Sequence, residues 1–172
     1  VQTCALPILR IWRFADLDDS EVMVSKTPNA YENLLDGKVD VIFAAAPSEE
    51  QLLAAKEKGV ELKLTPIGKE AFVFFVHAEN SVQGLTTQQI QDIYAGDINS
   101  WDQVGGGYEF IRSFQRPENS GSQTMLKKIM GGKELMKAPQ EDVVTGMGEI
   151  IEQTANYRNY SNAIGYSFLF YA

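Results

Sequence analysis

Apolar and polar residues alternate with two different periods along residues 21–66, and the two periods predict strands and helices in turn. Three stretches have the pattern of strands: the alternating "EVMVSK" (21–26) and "VELKLTPI" (60–67), and the continuous apolar run "VDVIFAAA" (39–46). The continuous run is typical of a strand that is buried on both faces. Between these stretches, "NAYENLLDG" and "SEEQLLAAKEKG" carry apolar residues at helical spacing. This alternation of strand and helix favours a mostly parallel sheet with right-handed crossovers.

Capping residues mark where the two helices begin and end. Thr27 is an N-cap candidate, because Pro28 follows it at what would be the first helical position. Ser48 and Gln51 have the spacing of a capping box, and Gly59 supplies the stop of the same helix.

The second half of the chain contains further strand and helix patterns. The run "EAFVFFVHA" (70–78) is the most apolar strand candidate, and "LTTQQIQDIYAG" predicts a helix capped by Thr86 or Thr87. "YEFIRSFQR" (108–116) alternates as a strand, "GMGEIIEQTANYRNY" predicts a glycine turn into a helix, and "AIGYSFLFYA" predicts a final strand.

The stretch "SFQRPENSGSQTMLKKIMGG" holds the candidate chemistry, since it places an arginine and small residues before a helical pattern. A helix N-terminus has unpaired N–H groups and a partial positive charge, so it attracts anions. Ser120 and Ser122 add hydroxyl donors, Gly121 lets a ligand approach the backbone, and Arg116 offers a bidentate fork to an oxyanion. The alternative is that Ser120 only caps the helix and Arg116 is a solvated loop charge.

Composition excludes several other kinds of site. The net charge of -8 argues against nucleic acid as a partner. One cysteine, Cys4, and one histidine, His77, exclude an internal disulfide and the usual zinc arrangements, so no metal and no cofactor are expected. Catalysis by a serine nucleophile would need a general base. We interpret His77 as structural and expect no catalytic residues.

Three stretches, taken in order, carry a resemblance to a known family. They are "AFVFFVHAENSVQGLTTQQIQDIYAGDINSWDQVGG", "RPENSGSQT" and "NAIGYSFLFYA". The chain resembles the phosphate-binding proteins that serve ABC transporters, from about Glu21 to Ala172. The resemblance implies an α/β fold of the type II periplasmic-binding-protein kind, incomplete here, in which two lobes with mixed, mostly parallel sheets close over an anion.

The same resemblance implies which residues hold the anion. Arg116 and the helix start at Ser120, Gly121 and Ser122 match the residues that grip phosphate in that family, with Ser122 in place of the usual threonine. Thr27 aligns with a hydroxyl that contacts the anion from the first lobe.

Other positions add less to the implied site. The family often has an acidic residue at the position of Ala45, so a nearby acid such as Glu49 substitutes, or discrimination is weaker, or the anion differs. Gly146 and Gly148 are possible further contacts from another helix start. We interpret Trp101 as a packing residue.

The function that follows is capture of inorganic phosphate, or a similar oxyanion, for the permease subunits of an ABC transporter. The protein would be periplasmic, or extracellular and membrane-anchored through an N-terminal segment missing here. A second hypothesis is an anion-sensing domain of the same fold, and a third is a phosphatase.

The two ends of the chain suggest truncation. Residues 1–8 resemble a translated adapter tail, and we expect them to be non-native, with an N-terminal strand as the alternative. We expect a partial first lobe over residues 9–70 and a second lobe over 71–166. Residues 167–172 would then return toward the first lobe and be cut short.

Overall fold

The computed structural model describes residues 2–4, 23–145, 151 and 161–169, and divides the chain into two compact units. The first unit comprises Val1–Lys69 with Glu118–Thr124, and the second comprises Glu70–Pro117 with Met125–Ala172. The division therefore falls one residue before the expected lobe boundary. It also differs from the expected lobes at Glu118–Thr124, which group with the first unit, and at Ser167 and Phe168, which stay with the second.

A three-stranded parallel sheet forms the centre of the first unit. Its strands are β1 (Gln2–Cys4), β2 (Met23–Ser25) and β3 (Ile42–Phe43), in the order β2-β1-β3. Helix α1 (Thr27–Leu35) lies between β2 and β3 in the chain, and helix α2 (Glu49–Glu57) follows β3. The parallel pairing confirms the prediction from the alternating pattern. Residues 2–4 adopt the strand alternative, and a non-native origin for residues 1–8 stays a prediction.

The caps of the two helices agree with the sequence in one case and differ in the other. In α2 the Ser48 side chain accepts the backbone N–H of Gln51, whose own side chain accepts the N–H of Ser48, so the capping box is confirmed. In α1 the N-cap is Lys26, and Thr27 is already the first helical residue. The prediction of Thr27 as N-cap is wrong by one residue, because Lys26 takes the extended backbone of a cap at φ -67° and ψ 153°.

Two predicted strands of the first unit are shorter or absent. The run over 39–46 pairs only at Ile42 and Phe43, which are half-buried, because its partner β1 is itself three residues long. Residues 60–67 form no strand in the part of the chain that the structure describes, and Ile67 is 71% exposed. Alternation in the sequence does not reveal whether a neighbouring strand is available to pair.

The second unit has a mixed sheet in the order β4-β6-β5. Strand β4 (Phe72–Val76) pairs antiparallel with β6 (Ala163–Phe168), and β5 (Arg112–Ser113) pairs parallel with β6. The sheet packs with helices α3 (Thr87–Ala95) and α4 (Gly121–Met130). Thr86 is the N-cap of α3, which decides between the two cap candidates.

The predicted strand over 108–116 forms three separate pairings instead of one ladder. Phe110 makes an isolated antiparallel bridge with Ser100, β5 pairs with β6, and Gln115 makes a parallel bridge with Val143. Because the partner changes along the stretch, no continuous strand forms.

An aromatic cluster fills the core of the second unit. Tyr94 and Tyr166 are fully buried, with ring centroids 5.7 Å apart, and both rings contact Phe74. Burial, and to a lesser extent Tyr166, raises the pKa of the Tyr94 hydroxyl well above its ordinary value. Trp101 is 1% exposed and donates its indole N–H to the Asn162 carbonyl, which confirms its packing role.

Ion pairs tie helix ends to neighbouring segments in each unit. In the first unit, hydrogen bonds from lysines, chiefly Lys58, lower the pKa of Asp36 at the C-cap of α1. In the second unit, Asp92 of α3 and then Asp97 raise the pKa of Lys133. These side chains are exposed enough that solvent screens their attraction.

No helix among the described residues is long and apolar enough to cross a membrane. The predicted helix within "GMGEIIEQTANYRNY" (146–160) lies outside the described residues except for position 151.

A close approach at Gly106 predicts a stability difference between two neighbouring glycines. A Cβ at Gly106 would lie 2.8 Å from the Trp101 Cβ and 3.0 Å from a Val82 methyl carbon, whereas a Cβ at Gly107 would meet nothing within 4 Å. We expect Gly106→Ala to lower the free energy of unfolding by about 1–3 kcal/mol. Gly107→Ala should leave it unchanged or raise it by up to about 1 kcal/mol. Urea denaturation of both variants provides the measurement, and equal values for the two would contradict the packing argument.

Candidate anion-binding site

Ser120 caps helix α4 through both its carbonyl and its hydroxyl. The carbonyl oxygen accepts the N–H of Thr124 at 2.9 Å, and Oγ accepts the N–H of Gln123 at 3.3 Å. Ser120 is therefore the cap of α4, as the alternative reading of this stretch predicted. This does not exclude ligand binding, because a hydroxyl that accepts a cap hydrogen bond still has its own hydrogen to donate.

Ser122, two residues into the same helix, has a hydroxyl with an unmet hydrogen-bonding capacity. The residue is 1% exposed, and its Oγ has no hydrogen-bond partner among the residues that the structure describes. A buried hydroxyl without a partner destabilises a fold by about 1–3 kcal/mol. It lies in the first turn of α4, where backbone N–H groups lack intrahelical acceptors and the helix dipole is positive. The arrangement favours a negatively charged acceptor.

Arg116 is a buried residue of the second unit. It is 8% exposed, its backbone N–H donates to the Tyr166 hydroxyl at 2.9 Å, and its Nη2 donates to the Thr145 carbonyl at 3.1 Å. The alternative of a solvated loop charge is therefore wrong. The bond to Thr145 fixes the orientation of a planar guanidinium, which is the group best suited to bidentate recognition of an oxyanion.

Two hydrogen bonds and an ion pair hold the chain before Arg116 in place. Gln115 donates its N–H to the Asp142 carbonyl at 2.9 Å and accepts the N–H of Val144 at 2.8 Å. The Asp142 carboxylate pairs with Arg112, whose guanidinium also lies 5.3 Å from the ring centre of Phe114. The segment at 142–145 therefore packs along the strand that leads to Arg116.

Asn119 was missed by the sequence reasoning, although it immediately precedes the cap of α4. Its φ of 63° is the only positive value at a non-glycine residue among those described. Its Oδ1 accepts the hydroxyl of Ser48 at 2.7 Å, and its Nδ2 donates to Glu50 at 2.7 Å. An asparagine directly before a serine cap was the available signal, since asparagine tolerates the left-handed region better than most residues.

The remaining first-unit candidates lie on α1 and after β3. Thr27 is half-buried at the first position of α1. Ala45 is half-buried after β3, and its carbonyl accepts the Tyr31 hydroxyl at 2.7 Å. The side chain of Glu49 is exposed and hydrogen-bonds with none of the described residues, and its part in the site stays a prediction.

Three other predictions concern residues away from α4. Gly146 and Gly148 lie outside the described residues, and their contribution stays a prediction. His77 follows β4, and its Nδ1 accepts the N–H of Glu79 at 3.2 Å, a local turn contact. In the described ranges, no three His, Cys, Asp or Glu residues form a group that could hold a metal ion.

The chain belongs to the PBP superfamily. A family model described as a PBP superfamily domain matches residues 2–171, nearly the whole chain. The match agrees with the α/β architecture, which has one parallel sheet and one mixed sheet.

Two curated relatives of the chain are named phosphate-binding proteins. The phosphate-binding protein PstS of Borreliella burgdorferi is 30% identical over 80% of this chain and 50% of its own length. PstS of Bacillus subtilis is 24% identical over 86% of this chain and 47% of its own length. The chain thus spans about half the length of the curated relatives it matches.

Two solved structures match the chain over nearly its full length. One from Clostridium perfringens, assigned as a phosphate ABC transporter substrate-binding protein and solved with bound phosphate, has a TM-score of 0.76 at 25% identity. It covers 100% of this chain and 71% of its own. An ABC-type phosphate transport receptor from Vibrio cholerae has a TM-score of 0.60 at 19% identity, over 99% of this chain and 71% of its own, and supports the fold alone.

The two serines of α4 predict opposite effects on stability. Ser120→Ala removes a cap and should lower the free energy of unfolding by about 0.5–2 kcal/mol. Ser122→Ala removes a buried hydroxyl that has no partner among residues 23–145 and the other described positions, and should leave stability unchanged or raise it by up to about 1 kcal/mol. Chemical denaturation without added anion compares the two variants. A clear loss of stability in Ser122→Ala would show that its hydroxyl already has a partner in the fold.

Proposed function

We propose that this chain is the anion-binding part of an extracytoplasmic substrate-binding protein, which captures inorganic phosphate for an ABC transporter. The observation that carries the proposal is the buried hydroxyl of Ser122 in the first turn of α4, which has no hydrogen-bond partner in the described part of the chain. The names of the relatives, and the phosphate bound in the structure from Clostridium perfringens, support phosphate as the anion.

The proposed ligand set consists of Arg116, Ser120, Gly121 and Ser122. The first turn of α4 supplies backbone N–H donors, and the two serines supply hydroxyl donors. Arg116 lies four residues before Ser120 in the chain and supplies the full positive charge. Donors of this kind replace the water around a tetrahedral oxyanion without a metal. Thr27, at the start of α1, is the fifth proposed contact.

The absence of a carboxylate at Ala45 bears on which anion is preferred. A protonated phosphate carries an O–H that needs an acceptor, whereas sulfate has no such hydrogen at neutral pH. With alanine at position 45 and the side chain of Glu49 exposed, we propose that phosphate is bound with modest discrimination against other tetrahedral anions.

Delivery to a permease and a location outside the cytoplasmic membrane follow from the same proposal. The curated relatives are named phosphate-binding proteins, and the structure from Clostridium perfringens is described as a phosphate ABC transporter substrate-binding protein. Binding without chemical conversion agrees with a site built of hydrogen-bond donors. The permease subunits are the proposed protein partners.

Calorimetric titration with phosphate, sulfate and arsenate tests the proposed function. We expect saturable phosphate binding and a rise in Kd of about 30-fold or more in Arg116→Ala, since truncating one partner of a buried charge pair typically costs about 2–5 kcal/mol. Ser122→Ala should weaken binding by about tenfold or more, because a hydrogen bond to a charged group contributes about 1.5–3 kcal/mol.

The matched control is Lys128→Ala, which removes one positive charge from an exposed position on the same helix. It should leave the phosphate Kd within about twofold, because exposed charges are screened. Circular dichroism checks that each variant is folded. A folded Arg116→Ala variant with wild-type phosphate affinity would falsify the proposed ligand set.

A further inference from the structure

We propose that Asn119 is a positioning residue that holds the first turn of α4 in its anion-binding geometry by anchoring it to α2. The inference rests on the proposed function, because it assigns Asn119 a part in that same site. Its physical basis is two side-chain hydrogen bonds within the first unit. They join Asn119, which directly precedes the cap of α4, to Ser48 and Glu50 at the start of α2.

The backbone of Asn119 makes the turn into the helix. Its φ of 63° lies in the left-handed region, and Ser120, the cap of α4, is the next residue. The left-handed conformation is strained for most residues and less so for asparagine. The direction in which the N–H groups of Gly121 and Ser122 point therefore depends on the conformation held at Asn119.

The side chain of Asn119 is held at both of its polar atoms. The hydroxyl of Ser48 already accepts the N–H of Gln51 at 3.2 Å, so its hydrogen is directed to Oδ1 of Asn119. The Glu50 carboxylate can only accept, so it must face Nδ2. The two partners therefore determine which end of the Asn119 amide is the oxygen and which is the nitrogen. Both hydrogen bonds are 2.7 Å long.

Removal of Glu50 tests the inference through the direction in which the anion affinity changes. A carboxylate near an anion site opposes binding by Coulomb repulsion, so its removal should tighten binding if charge were its only role. If Glu50 acts by holding Asn119, its removal should weaken binding instead. Glu49 is the matched comparison, because it carries the same charge at the neighbouring position in the first turn of α2 and does not bond to Asn119.

The experiment measures phosphate Kd by calorimetry in Glu50→Ala, Glu49→Ala, Asn119→Gly and the double variant Glu50→Ala/Asn119→Gly. Glycine at 119 keeps the left-handed backbone without strain and removes only the side-chain bonds. We expect a rise in Kd of about threefold to tenfold for Glu50→Ala and Asn119→Gly, and no rise for Glu49→Ala. The double variant should match Asn119→Gly within about twofold, since both changes break one linkage.

Hydrogen exchange at the amides of residues 121–124 gives a second readout that does not depend on a ligand. Exchange should be faster in Glu50→Ala and Asn119→Gly than in the wild type, and unchanged in Glu49→Ala. If the wild type binds none of the three anions, the proposed function fails, and exchange alone then decides whether Asn119 orders the helix start. Equal effects of Glu49→Ala and Glu50→Ala, or unchanged exchange in Asn119→Gly, would overturn the inference.

Discussion

The first turn of helix α4 imposes the constraint on which the proposed site depends. A helix must begin with N–H groups that lack intrahelical partners, and burial makes each one costly unless another group accepts it. Ser120 satisfies the N–H of Gln123, yet Ser122 adds a further buried donor where the helix already has a surplus. A fold selected only for stability would reduce this surplus, whereas an oxyanion supplies several acceptor atoms at once.

Hydrogen bonds hold the residues that precede that turn in the chain. Within the first unit, Asn119 joins the turn to the capping box of α2, so one serine hydroxyl serves two helix starts. Within the second unit, main-chain hydrogen bonds join Gln115 to Asp142 and Val144. The Arg116 backbone N–H donates to the Tyr166 hydroxyl, and its guanidinium donates to the Thr145 carbonyl.

Much of this could be predicted from the sequence, because the relevant signals are local. The capping box at Ser48, the helix α3 and the cap of α4 at Ser120 follow from spacing within a few residues. The strand over 60–67 and the continuous ladder over 108–116 could not be decided in this way, since pairing depends on a partner far away in the chain. The side-chain bond of Asn119 could not be predicted in this way either, because its partner Glu50 lies 69 residues earlier.

The position of Asn119 has a chemical consequence for the lifetime of the protein. Asparagine side chains hydrolyse slowly to aspartate, and here the product would replace an amide donor by a second carboxylate at the 2.7 Å contact with Glu50. Two like charges at that separation repel strongly. A single ageing event at this residue would therefore convert an attractive contact into a repulsive one, at the point where the chain turns into α4.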